Sequence, residues 1–438
     1  MAVLKRMTFL GIVAALLVLA GCGGTKGPVT VKFMSSDADL PAAWVEKFNA
    51  SNPDKITIVR TEPDWAKTIA EAAAGNASDL LNLGEGTDIA YYQPRGMLKD
   101  LTPYFKKSKV IKMEDIDLLG NREYQFDGKE FGKGAWYGLA KDYNNIGAIT
   151  YNKEMFKAAG IAPLSETEPI TYDELYQLAK KLTKKDKSGK VTTWGYDLGA
   201  GWWNFLASDM AAMEGLSFFT DDTKSVMNND PKMRDIWKYW ARWFAEGLVP
   251  NVKNPAPSWA GANFQSDRIA MVQLGYWYGA QLRTNPGFEA KYGWAPTPTV
   301  VKGGTRVTDT LGATGVVMYA KTKVPDQAFK VFEWYMGGAY GQERAKTGWG
   351  IPPLKSLVPL LPEENSFDKS RKAIALDDAK YFQPWQATPW ITSGSWAAAW
   401  AGPIEALTKG QIDMDKFVDN YFAAMNKMIA DGKAQLGK

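Results

Sequence analysis

Apolar and polar residues alternate from Val29 to Met34, the period of a strand with one face turned inward. From Leu40 to Asn49 the period lengthens, and Leu40, Trp44, Val45 and Phe48 fall on one helical face. Ile56 to Arg60 predicts a second strand. Trp65 to Ala74 predicts an alanine-rich helix stopping near Gly75-Asn76, and Asp79 to Leu83 a third strand. Strand and helix alternating at this spacing predict right-handed βαβ units on a parallel sheet, an α/β fold. Loops leaving such strands gather at their carboxyl ends, where open α/β sheets bind ligands.

The same reading continues downstream. Gly138 to Tyr151 leads through Asn152-Lys153 into a helix beginning near Glu154. Thr171 followed three residues later by Glu174 has the form of a capping box, with the helix running on to Leu182. Pro231 to Glu246 places Ile236, Trp237, Trp240 and Phe244 on one face. Ile269 to Leu274 reads as a strand running into an aromatic turn, Gly275-Tyr276-Trp277-Tyr278-Gly279. A strand at Val316 to Ala320, a helix at Asp326 to Met336 and an amphipathic terminal helix at Asp415 to Ala430 complete the pattern. The 438 residues allow two or three domains, and the sequence has no internal repeat.

The amino terminus reads differently. Lys5 and Arg6 precede an apolar run, Phe9 to Ala20, too short for a comfortable bilayer span and shaped like the core of a signal peptide. It ends in Leu19-Ala20-Gly21-Cys22, which resembles the lipobox of bacterial lipoproteins. That resemblance implies a signal peptide over 1–21, a lipid on Cys22, a tether over 22–28, and a protein held on the outer side of the membrane. The rival reading is an ordinary secretory signal with an incidental thiol. Cys22 is the only cysteine, so no intramolecular disulfide forms. Histidine is absent, which removes the commonest general base, the commonest zinc ligand and every Ser-His or Cys-His arrangement. An all-carboxylate calcium site or a pair of catalytic carboxylates stays open, though no D-x-D-x-D-G run favours the first; no metal-ligand set is singled out and no cofactor is expected. A net charge of +4 is spread thinly, which gives nucleic-acid binding no support. Eighteen Trp, nineteen Tyr and nineteen Phe suit a large core, and also a ligand with apolar ring faces and many hydroxyls.

Several stretches together resemble the extracellular solute-binding proteins of carbohydrate ABC transporters, the group that includes maltose-binding protein. They are Val29 to Phe48, Gly138 to Ile161, Thr171 to Leu175, Phe264 to Trp277, Tyr292 to Pro298, Ala328 to Trp334 and Gly348 to Pro352. The resemblance implies a two-lobed periplasmic-binding-protein fold of type II. Lobe one would comprise 28–140 and 311–356, and lobe two 145–305 and 357–438. Hinge crossings would lie near 140–145, 305–311 and 356, with a ligand cleft between the lobes. It further implies a monomeric, non-enzymatic receptor that captures a mono- or oligosaccharide and delivers it to the permease subunits of an ABC importer. One departure stands out: where the family often has a Trp at the end of the first strand, this chain has Ser35-Ser36-Asp37.

Candidate ligand contacts follow from loop positions. Asp37, Trp65 and Glu85 follow the first three strands, and Asp142 and Asp309 lie in the expected crossings. Each carboxylate has a plainer reading as a helix cap, solvated charge or hinge salt bridge. Trp202 and Trp203 are adjacent in a glycine-rich stretch, so both cannot sit in the core on one face, and one is expected in the cleft. Trp277 and Trp349 are flanked by glycines, which lets the backbone turn tightly beneath an indole. Rival functions are binding of a polyamine or ferric chelate on the same fold, and a secreted glycosidase with two carboxylates, though no motif places an acid and a nucleophile.

Overall fold

The alternating stretch Val29–Met34 forms strand β1, with Val31 and Phe33 fully buried. It pairs in parallel with Ile56–Thr61 (β2) and Leu80–Leu83 (β3), through helices Ala42–Ser51 and Trp65–Ala73. Further along are Gly138–Ala140 (β4), Ile149–Asn152 (β5), Met271–Val272 (β6), Tyr292–Ala295 (β7) and Gly315–Met318 (β8). The first sheet has the order β2-β1-β3-β8-β4, with β8 antiparallel to both neighbours. The second has the order β6-β5-β7, all antiparallel. The chain therefore passes from the first sheet to the second between Ala140 and Ile149, and returns between Ala295 and Gly315. This computed structural model describes residues 28–199, 202–309, 313–383, 386 and 388–437, so Cys22 and the leader lie outside the described residues.

The expected strand over Ile269 to Leu274 shortens to Met271–Val272. Gly275, at φ +78°, turns the chain there, and a short helix, Tyr278–Leu282, begins after Trp277. The box at Thr171 forms: Glu174 N–H donates to Thr171 Oγ1 at 3.1 Å, and Thr171 N–H donates to Glu174 Oε2 at 2.6 Å. Most of the aromatic load enters the second lobe. Helix Pro231–Ala245 buries Trp237, Trp240 and Trp243 against Trp203–Met213, Ser393–Lys409 and Met414–Gln435. Such burial favours folding at about 25 cal/mol per Å² of apolar surface removed from water.

Among the described residues, the segment after β3 is hydrogen-bonded to the stretch that leads into helix Ser393–Lys409. Asp88 accepts from Ser393 N–H at 2.7 Å and from Ser393 Oγ at 3.0 Å. Arg95 Nη1 donates to the carbonyl of Pro389 at 2.9 Å.

Candidate functional site

Between the lobes lies a cleft of about 320 Å³. Its floor is the crossing segment that leaves β4. Lys141 Nζ lies 2.5 Å from Asp142 Oδ2 and 3.0 Å from Asp39 Oδ1, all three groups lining the cleft. Burial alone would raise the Asp39 carboxyl, but the Lys141 ammonium holds it below its ordinary range. Burial opposes the charge on Lys141, yet Asp142 and Asp39 keep its pKa above the usual value. At Asp142 burial outweighs Lys141, and the carboxyl is pushed up.

The walls are indoles. Trp202, Trp259, Trp277 and Trp349 line the cleft, and the Trp277 and Trp349 rings approach to 5.5 Å. The crossing segment fixes Trp277 from behind. Trp277 N–H donates to Asn144 Oδ1 at 2.7 Å, and Asn144 Nδ2 donates to Asp142 Oδ1 at 3.2 Å. A side chain at Gly275 would meet Asn144, and one at Gly350, at φ +111°, would meet Asp142. Glycine at these two places lets both tryptophan turns press against the crossing. Glu85 and Gln281 add polar groups at the rim.

Of the residues singled out from the sequence, Glu85, Asp142, Trp202, Trp277 and Trp349 come together in this cleft. Trp203 is 3% exposed and faces an adjoining chamber. Asp37 is not on the lining: it is exposed, accepts from Ala42 N–H at 3.2 Å and pairs with Arg60 at 3.3 Å. The carboxylate that reaches the cleft is Asp39, two residues on. Trp65 is not on the lining either; it opens its helix and stacks on Tyr92, centroids 4.9 Å apart. Asp309 has its backbone in a two-residue strand paired with Phe382–Gln383. Sequence reasoning passed over Asp39, Lys141, Asn144, Trp259 and Gln281. A lone Trp after Pro255-Ala256-Pro257-Ser258, in a loop with no other aromatic, was the available sign of Trp259.

The arrangement offers ring faces beside donors and acceptors of both charges. It suits a ligand with C–H faces and hydroxyls that both give and accept hydrogen bonds. Residues 43–373 match the model of the bacterial extracellular solute-binding protein family. The chain belongs to that family. This solute-binding protein is similar to the diacetylchitobiose binding protein DasA of Streptomyces coelicolor, 24% identical over 97% of this chain and 99% of that protein. Among solved structures, its fold is similar to an ABC substrate-binding protein from Listeria monocytogenes in complex with cycloalternan. That likeness has a TM-score of 0.75 and 20% identity over 92% of this chain and 99% of that one. A solute-binding protein from Thermotoga lettingae bound with alpha-D-tagatose gives a TM-score of 0.72 and 17% identity over 92% and 100%. The solute-binding protein thus shares the two-lobed architecture of these structures.

Proposed function

We propose that this chain is a lipid-anchored receptor, acting outside the cytoplasm, that takes a mono- or oligosaccharide between its lobes and delivers it to an ABC importer. The observation that carries the reading is the meeting of Trp202, Trp277 and Trp349 with Asp39, Glu85 and Asp142 in one interlobe cleft. The relatives named above, which bind diacetylchitobiose, cycloalternan and tagatose, support it. Asp39 takes the contact first expected of Asp37, and hinge closure at the crossings brings the two half-sites onto the ligand. The protein acts as a monomer and without chemistry on the solute. A polyamine fits less well, because Lys141 already engages two of the three carboxylates.

A thermal-shift screen over a solute library tests the reading, since a ligand binding only the native state raises the melting temperature. A shift with sugars and none with polyamines is expected. Sugar released from an oligosaccharide during incubation overturns the receptor in favour of a glycosidase. The anchor rests on the lipobox alone: Cys22→Ala should free the protein from membranes, and a variant as firmly bound as the parent removes the lipid.

A further inference from the structure

Past Trp277 the cleft continues into a second chamber of about 600 Å³, whose walls are of another kind. Trp202, Trp203, Phe244, Leu274 and Trp259 face it. Its polar side chains are Ser258 and Asp197. Asp197 Oδ1 already accepts from the backbone N–H groups of Leu198 and Gly199, at 2.8 and 3.0 Å. The first cleft, by contrast, carries Asp39, Glu85, Lys141 and Asp142. Both chambers share Trp202, Trp259 and Trp277, so a chain of sugar rings can pass from one to the other against the same indoles.

Trp259 is the distinctive member. It remains 47% exposed, and its ring stacks against that of Trp277, the planes within 17° and the centroids 6.1 Å apart, so the two indoles are held as a pair. A Cβ at Gly261 would fall on the Trp259 ring, so glycine there is what allows the indole to lie back across the start of helix Ala260–Gln265.

We propose that this second chamber is a subsite for a sugar ring bearing acyl groups, acetamido or O-acetyl, at one end of an oligosaccharide. The inference rests on the receptor reading above and narrows its ligand. Ring hydroxyls pressed on an apolar wall lose hydrogen bonds to water without replacement. Acyl methyls gain from the same wall, and they cover the exposed indole of Trp259. The polar, charged half of the cleft takes the hydroxyl-rich remainder.

Titration calorimetry with two trisaccharides of the same β-1,4 backbone tests this. Triacetylchitotriose carries an acetamido group where cellotriose carries a hydroxyl. The parent should bind the acetylated form about tenfold tighter. Trp259→Ala should weaken both sugars, since the indole lines both chambers, but the acetylated one about tenfold more, so that the preference is erased. Gly261→Ala, which displaces the ring without removing it, should do the same, with both variants melting near the parent because the indole is exposed. Equal affinity for the two sugars, binding of neither, or a Trp259→Ala loss shared equally by both overturns the subsite. If neither binds while maltotriose does, the receptor reading stands and only the acyl assignment falls.

Discussion

Trp277 is half-buried on the cleft wall, whereas Trp237 is fully enclosed and packs on Trp400 and Tyr421, with centroids 5.7 and 4.7 Å away. The same side chain therefore has two different consequences when removed. Trp277→Ala should weaken sugar binding by about 1–3 kcal/mol, the scale of covering one large apolar side chain, with little change in ligand-free melting. Trp237→Ala should cost about 3–5 kcal/mol of folding stability, through the cavity it leaves. Calorimetric titration and ligand-free melting of both variants check the contrast; the reverse pattern would place Trp277 in the core. Individual residues were unevenly legible from the sequence. Glycines flanking Trp277 and Trp349 marked tight turns, and both indoles line the cleft. Asp37 and Asp39 could not be told apart, because their roles depend on partners far along the chain. Arg60 holds the first, while Lys141 and Asn82 hold the second.

At the scale of elements, periodicity did most of the work. The first three strands and the helices that were expected lie within a residue or two of their limits, except that the terminal helix extends to Gln435, while helices Trp203–Met213, Ser366–Asp378 and Ser393–Lys409 were not foreseen. What hydrophobic pattern could not supply was pairing: β8 enters the first sheet antiparallel, from some 230 residues beyond its neighbour β3, as β3 Leu83 opposite Gly315 attests. Nor could it foresee that β6 stops at Val272, since the strand is cut by the conformation of Gly275 rather than by polarity. The helix start at Thr171 gives an element-level test remote from the cleft. Thr171→Ala removes the hydroxyl that accepts from Glu174 N–H, and should lower folding stability by about 1 kcal/mol. Sugar affinity should be unchanged; a fall in affinity would show that this helix communicates with the site.

For the whole molecule, the contact between Asp88 and Ser393 ties the segment after β3 to helix Ser393–Lys409 through a buried carboxyl. Burial pushes the Asp88 pKa up to about 6, against the hydrogen bonds from Ser393. Below the ordinary value of 3.8 both folded and unfolded chains hold the proton, and the contribution of this group to stability is fully present. As pH rises toward 6 the unfolded chain ionises first, and that contribution is lost at about 1.4 kcal/mol per pH unit. Melting of the parent, measured against Asp88→Asn from pH 4 to 6.5, should therefore fall progressively relative to the variant; parallel curves would exclude Asp88 as the source. The approach of Trp277 and Trp349 to 5.5 Å, across the hinge in the reading proposed above, has an optical consequence. Two indoles so close couple their electronic transitions, and the coupling weakens as the inverse cube of their separation. Trp259 extends the same array on one side only, so its coupling to Trp277 survives any hinge motion. Near-ultraviolet circular dichroism should thus carry one exciton band that vanishes when the lobes part and another that does not, an internal gauge of opening that needs no added dye.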